Sequence, residues 1–211
     1  MSEPPSNPSE RVVSTTLSDW LRLKTAGVTS RIGQAAYRLG LSPDGVTIVG
    51  TLIVVGAAFL IATGHFAIAG IVMVASMPLD ILDGAIARAM QRKNRFGALL
   101  DSTLDRFADG LLMLGLIVYF AQNGQTAAVA VGGLAMIGSY VVSYVRARAE
   151  GLGIALKDGL FSRLERTIVL IVALLTGWVV PGVIILAAGS NFTALQRVLL
   201  VYRATRFDET A

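Results

Sequence analysis

The chain contains no cysteine and a single histidine, His65. Disulfides, thiolate metal sites and cysteine nucleophiles are therefore excluded, and the redox state of the compartment leaves no mark. Charge is scarce as well: Asp, Glu, Lys and Arg make up 15% of 211 residues and hydrophobic residues 54%, with a mean hydropathy of +0.67. Soluble globular domains run at about 25% charged and 45–50% apolar residues, so this balance argues for an integral membrane protein. The net charge of +4 is too modest to point to nucleic acid, and no nucleic-acid partner is expected. Basic residues in a membrane protein report topology instead. One domain is the default at this length.

Three stretches carry no Asp, Glu, Lys or Arg: 45–79, 110–145 and 167–196. As single helices they would measure roughly 45–54 Å, against a hydrocarbon core of about 30 Å. Each holds breakers near its middle, namely Thr63-Gly64-His65, Gln122-Asn123-Gly124-Gln125, and Gly177 to Pro181-Gly182. Each stretch is thus predicted to be a helical hairpin, which makes six spans. Residues 1–10 hold three prolines and no basic segment followed by an apolar one, so 1–14 reads as a disordered tail rather than a signal peptide. From Leu17 the pattern turns helical: Leu17, Trp20 and Leu21 share a face, then Ile32, Ala35, Ala36 and Leu39, with Arg22, Lys24, Arg31 and Arg38 interspersed. Such a segment lies on a membrane surface or packs on the cytoplasmic end of the domain. The expected fold is all-α: six transmembrane helices preceded by an N-terminal amphipathic juxtamembrane helix, with one membrane domain over 15–206 and a short tail at 207–211.

All 18 basic residues fall in the N-terminal segment, in Arg88–Arg106, in Arg146–Arg166 or from Arg197 onward, and none at the hairpin turns. The positive-inside rule then predicts a multi-pass protein of the cell membrane with both termini and the charged connections cytoplasmic. His65 sits at a turn on the far side with no carboxylate nearby, as an interfacial loop residue does. Half of each uncharged stretch gives a helix of only ~22–27 Å, so a full span must recruit charged flanks. Asp80, Asp83, Asp101, Asp105, Arg146, Arg148, Glu165 and Arg166 are thereby drawn to similar depth. Ionisable groups there cost roughly 2.5–3.5 kcal/mol each, so they should pair, bind metal or line a water-filled cavity.

Residues 80–105 read DILDGAIARAMQRKNRFGALLDSTLD. In helical register Asp80, Asp83, Gly84, Ala87 and Arg88 share one face, and Gly97, Asp101 and Asp105 share another. Neighbouring antiparallel helices joined by the basic turn would bring four carboxylates to one point. Such mutually repelling anions are tolerable only when protonated or when cations neutralise them, and all-oxygen ligation suits Mg²⁺ or Mn²⁺ rather than zinc. A two-metal cluster of this kind serves phosphoryl transfer. Gly84 and Ala87 leave a bare helix surface for a ligand, and Arg88 at the lip can pair with a phosphate. The alternatives are a buried network of these aspartates with Arg88, Arg92 and Arg95 that only joins two helices, a cation-coupled transporter, and a non-catalytic scaffold.

The run Asp80-x2-Asp83-Gly84-x2-Ala87-Arg88-x8-Gly97-x3-Asp101-x3-Asp105 resembles, at all eight fixed positions, the signature of the CDP-alcohol phosphotransferase family. The resemblance implies a six-helix membrane enzyme, homodimeric, that displaces CMP from a CDP-linked donor with an acceptor hydroxyl and uses two divalent ions, Mg²⁺ or Mn²⁺. It implies that Asp80, Asp83 and Asp101 are metal ligands, and that Asp105 is the general base and a ligand too. Gly84, Arg88 and Asn94 would contact the CDP moiety. Pro43, Asp44 and Thr47 resemble a family segment that borders the nucleotide; on physical grounds they open a helix, with Pro in the first turn and Asp44 at the positive dipole end.

A second charged region, SYVRARAEGLGIALKDGLFSRLERT, holds Ser143, Arg146, Arg148, Lys157, Arg163 and Arg166. Clustered guanidiniums suit an anionic acceptor such as a phosphate; the alternative is plain positive-inside anchoring. The segment is similar to that of the phosphatidylinositol-phosphate synthase branch of the family. That likeness implies CDP-diacylglycerol as donor and inositol phosphate as acceptor, its phosphate held by Arg146 and Arg163 with Ser143 adjacent. Glycerol 3-phosphate or another alcohol is the competing acceptor. Asp109 continues the i+4 row beyond the signature and reads as supporting structure.

Overall fold

The computed structural model describes residues 31–90, 95–156 and 159–208. Most of the N-terminal amphipathic segment, residues 91–94 with Arg92 and Asn94, and Lys157 lie outside the described residues. The described residues are helical throughout their regular structure: α1 over 31–38, α2 Pro43–Ala62, α3 Phe66–Ala89, α4 Arg95–Gln122, α5 Thr126–Gly151, α6 Arg163–Thr176 and α7 Val179–Asp208.

The helices form three hairpins, α2–α3, α4–α5 and α6–α7, and the expected breakers separate their arms. Each turn carries one glycine at positive φ: Gly64 at 82°, Gly124 at 68° and Gly177 at 77°. A side chain with a Cβ is strained in that region, so glycine ends the helix there at least cost. The third break is shorter than the sequence indicates. It spans only Gly177 and Trp178, and Pro181 falls in the first turn of α7, where the missing N–H of proline is one that would have no intrahelical partner anyway.

The helices do run beyond the uncharged stretches into charged sequence, as their shortness requires. α3 extends through Asp80, Asp83 and Arg88, and α5 through Arg146 and Arg148. Four helices are long and apolar enough to cross a membrane: α2, α3, α5 and α7. The protein is thus a multi-pass membrane protein by composition. The other two hairpin helices, α4 and α6, depart for a reason tied to the site. α4 carries Asp101, Asp105 and Arg106 in its first half and Asp109 at its middle, and α6 has only 14 residues, about 21 Å.

Apolar side chains such as Leu52, Phe59, Ile71, Leu134, Ile185 and Leu195 face outward. Lipid is as apolar as leucine, so helices associate through close packing and polar ties rather than hydrophobic drive. Two glycines show this. A Cβ on Gly115 of α4 would stand 2.5 Å from the Ala58 carbonyl oxygen of α2, and one on Gly138 of α5 would stand 2.9 Å from Ser190 Cβ of α7. Between α5 and α7, Asn191 Nδ2 donates to the Leu134 carbonyl at 3.0 Å and Arg197 donates to the Val142 carbonyl at 2.8 Å. Of the two adjacent small residues Gly132 and Gly133, only Gly132 faces a neighbour, Ile117 of α4. A core of Ile61, Leu116, Phe120, Leu174 and Val183 joins all three hairpins. At the other end, Ala36, Val46 and Ile86 seat α1 against α2 and α3. Because the arms alternate in direction, the three turns share one end of the bundle, and the start of α4, the end of α3 and the start of α6 share the opposite one.

Candidate active site

The charged end is built from the starts of α2, α4 and α6 and the end of α3. Ser42 caps α2, its hydroxyl oxygen accepting from the Gly45 amide at 3.1 Å; Pro43 is the first helical residue and Asp44 lies in the first turn. That start puts Thr47 one turn inside the helix. Its Oγ1 lies 2.9 Å from Asp83 Oδ2 on α3 and 3.1 Å from its own Pro43 carbonyl. Asp83, only 8% exposed, is therefore held by a hydroxyl of α2 and faced on its other oxygen by the Gly84 amide.

At α6 the hydroxyl of Ser162 donates to Glu165, a serine and a glutamate three apart at a helix start. The residues before it are tied to α7: the Phe161 amide donates to Thr193 Oγ1 at 3.1 Å and the Leu160 amide to Gln196 Oε1 at 3.3 Å. Arg163 consequently begins α6 at a fixed place, and its guanidinium enters the aspartate cluster. Nη2 lies 2.8 Å from Asp105 Oδ1, Nη1 lies 3.5 Å from Asp80 Oδ2, and Nε lies 3.6 Å from Asp109 Oδ1. One turn on, Arg166 is buried and donates to Asp109 Oδ2 at 3.3 Å and to the Phe161 carbonyl at 3.4 Å. Arg106 Nη2 stands 3.7 Å from Asp105 Oδ2.

The carboxylates thus come together at one end of the bundle but not at one point. Asp80 and Asp105 stand on two sides of a guanidinium, Asp83 is turned to Thr47, and Asp101 is exposed. Among the described residues no three acidic or histidine side chains are close enough to hold one ion as they stand. The reason is electrostatic: like charges separate unless a cation lies between them, and here the cation is Arg163. Among the described residues, the arginines that pair with this cluster are Arg106 of α4 and Arg163 and Arg166 of α6; of Arg88, Arg92 and Arg95, which the sequence offered for a purely structural network, Arg92 lies outside the described residues.

The donor set nonetheless fits hard divalent cations. It is all oxygen, it spans two helices joined by a short connection, and the position between Asp80 and Asp105 already accommodates a cationic group,. Asp80, Asp83, Asp101 and Asp105 are the residues that would hold such ions.

The remaining expected residues are more dispersed. Arg88 and Ala87 are exposed at the end of α3. Ser143 donates to its own Ser139 carbonyl at 3.1 Å, and Arg146 Nε pairs at 2.9 Å with Glu150, one turn along α5, both half exposed. Arg146 and Arg163 therefore have different partners and are not joined by a common one. His65 Nδ1 lies 3.0 Å from Thr63 Oγ1 at the far turn, in keeping with a loop residue. Asp109 and Arg166 join the site although the signature omits them. Their signals were present: Asp109 is four residues after Asp105, and Arg166 three after Arg163, each on the same helix face as its predecessor.

A helical membrane bundle whose charged end carries these aspartates at this spacing defines a CDP-alcohol phosphotransferase. Residues 41–201 match the family model described as CDP-alcohol phosphatidyltransferase, and the chain belongs to that family, enzymes that transfer groups in phospholipid biosynthesis. It is 40% identical over 182 residues to the phosphatidylinositol phosphate synthase of Mycobacteroides abscessus, covering 82% of this chain and 83% of the relative. It is 36% identical over 178 residues to the archaetidylinositol phosphate synthase of Methanothermobacter thermautotrophicus, covering 82% and 89%. The crystal structure of Mycobacterium tuberculosis phosphatidylinositol phosphate synthase with CDP-DAG bound is similar with a TM-score of 0.77 at 33% identity, covering 83% of this chain and 94% of that one. The same enzyme in complex with manganese and citrate gives 0.74 at 33% identity, covering 82% and 88%.

Gly84 offers a direct test of ligand approach. A Cβ built there meets only the flexible end of Arg88, at 3.4 Å, so nothing among the described residues requires glycine. Gly84→Ala is expected to leave the melting temperature unchanged or raise stability by up to ~1 kcal/mol through helix propensity. It should at the same time weaken use of the CDP-linked donor at least tenfold in KM. A variant that melts early, or that uses the donor normally, would show that the glycine serves packing or nothing.

Proposed function

We propose that this protein transfers the phosphatidyl group of CDP-diacylglycerol to a hydroxyl of a phosphorylated polar alcohol, inositol phosphate, and releases CMP. The observation that carries the reading is Arg163. A guanidinium suited to a phosphate ester stands 2.8 Å from Asp105, the residue in the position of the family's base,. An acceptor whose phosphate rested on Arg163 would present its hydroxyl groups beside Asp105. A neutral acceptor would leave this guanidinium without an anionic partner on the substrate. The names of the relatives from Mycobacteroides abscessus and Methanothermobacter thermautotrophicus support inositol phosphate over glycerol 3-phosphate.

In this reading Asp80, Asp83, Asp101 and Asp105 hold two divalent ions, Mg²⁺ or Mn²⁺. When bound, these ions neutralise the pyrophosphate of the donor and the charge that develops on CMP. Thr47 orients Asp83 through the hydrogen bond described above. Gly84 and Arg88, with Pro43, Asp44 and Asn94, border the CDP moiety. Asp105 takes the proton from the acceptor hydroxyl. That oxygen forms a bond to the phosphorus that bears diacylglycerol, the bond from this phosphorus to the CMP oxygen breaks, and CMP departs as the anion. Arg163, with Arg146 and Ser143 on the α5 side, holds the acceptor phosphate. The enzyme is a homodimer of six-span subunits in the cell membrane, with α4 and α6 completing the spans and the active site facing the cytoplasm.

CMP release tests the chemistry. Purified protein in nanodiscs with CDP-diacylglycerol and Mn²⁺ should release CMP at least ~10-fold faster with inositol phosphate than with glycerol 3-phosphate, inositol or serine, and Asp105→Asn should lower that rate at least ~100-fold. Release that ignores the acceptor, or survives in Asp105→Asn, contradicts the assignment. The absence of cysteine makes the topology equally open to test. His65→Cys and Asn123→Cys should react with an impermeant maleimide on intact cells, and Leu152→Cys only after permeabilisation. The opposite pattern, or one shared by all three positions, overturns the six-span orientation.

A further inference from the structure

Arg163 has more partners than the proposed reaction leaves it. Two of them, Asp80 and Asp105, are residues that would hold divalent ions, and a cation bound to those carboxylates weakens their hold on the guanidinium. The third, Asp109, is outside the signature and outside that ligand set. Three observations single it out. Arg163 Nε is buried and makes no hydrogen bond, and Asp109 Oδ1 stands 3.6 Å from it. The other oxygen of Asp109 accepts from Arg166, which is itself buried and bonded to the Phe161 carbonyl. Asp109 lies one helical turn below Asp105 on the same face of α4. A guanidinium shift of well under 1 Å toward Asp109 would bring Nε within hydrogen-bond range of Oδ1.

We propose that Asp109 is the positioning residue for Arg163: a carboxylate, anchored by Arg166 to the start of α6, that retains the guanidinium in the acceptor site when Asp80 and Asp105 are engaged with divalent ions. The inference rests on the reading of Arg163 as the acceptor-phosphate contact. Asp109 touches neither substrate nor ion. It supplies the negative charge that keeps a cationic side chain poised beside a divalent centre, against the repulsion it meets there. Without that anchor Arg163 keeps only carboxylates that it shares with the ions, and the acceptor must pay more for ordering it.

The test is a double-mutant cycle on the full-length protein in nanodiscs with Mn²⁺, reading the calorimetric Kd for inositol phosphate together with KM for each substrate. Asp109→Asn is expected to weaken inositol phosphate binding about tenfold, the scale of one hydrogen bond to a charged group, with KM for CDP-diacylglycerol within twofold of wild type. Arg163→Gln should weaken acceptor binding by at least as much, and the double variant should be no worse than Arg163→Gln alone. Asp109→Glu, which keeps the charge, should restore binding to within about threefold of wild type. It also carries the comparison if Asp109→Asn fails to fold: a Glu variant that folds yet binds acceptor tenfold more weakly overturns the proposal. So do additive effects in the cycle, or equal losses for donor and acceptor. If Arg163→Gln itself leaves acceptor binding unchanged, the acceptor reading of Arg163 fails instead.

Discussion

The charged end of this bundle depends on one guanidinium placed among carboxylates that repel one another. Asp80 on α3 and Asp105 and Asp109 on α4 are carried at one end of the molecule by helix geometry. In a weakly polar setting such anions separate unless a cation intervenes. Arg163 supplies it from a third helix, and Arg166 secures Asp109 from behind. The rest of the architecture serves that meeting. The tight packing of Gly115 on Ala58 and of Gly138 on Ser190 fixes the helices laterally, and the ties from Phe161 and Leu160 to α7 fix where α6 begins.

The same interaction explains why α4 and α6 differ from the other helices. In the proposed reaction, a lipid-linked donor and a water-soluble acceptor call for charged groups at the membrane boundary, at the depth of the scissile phosphate. Charges there interrupt the apolar pattern of α4, and the site requires α6 to begin at Arg163, which leaves it short. The two helices that do not pass as spans by composition alone are those that contribute Asp105, Asp109, Arg163 and Arg166.

Much of this is legible in the sequence, and the limits have physical causes. The hairpins are legible because a helix longer than the bilayer must break, and glycines mark where. The break before α7 reads too broadly because Pro181, a helix breaker in mid-helix, is well tolerated in a first turn. Asp80, Asp83, Asp101 and Asp105 can be assigned to shared helix faces because i+3 and i+4 spacing is local. Their convergence on a single point cannot be read in the same way, since it depends on which cation lies among them. The pairing of Arg163 with Asp80 and Asp105 depends on how α6 lies against α3 and α4. That arrangement is set by contacts between residues more than fifty apart in sequence, such as Arg166 with Asp109, and no local pattern encodes it. Thr47 shows the intermediate case: its place in the helix start is readable, its hydrogen bond to Asp83 is not.

If Arg163 occupies the carboxylate oxygens that would otherwise hold divalent ions, guanidinium and metal must compete. That competition is read in the Mn²⁺ affinity of the protein without substrates, by electron paramagnetic resonance, in wild type and Arg163→Gln. Removing a competing cation should tighten Mn²⁺ binding by at least ~10-fold, equivalent to ~1.4 kcal/mol. Equal or weaker binding in Arg163→Gln would show that the guanidinium and the ions do not share those oxygens, and would contradict the placement of Arg163 as the cation that holds the cluster together.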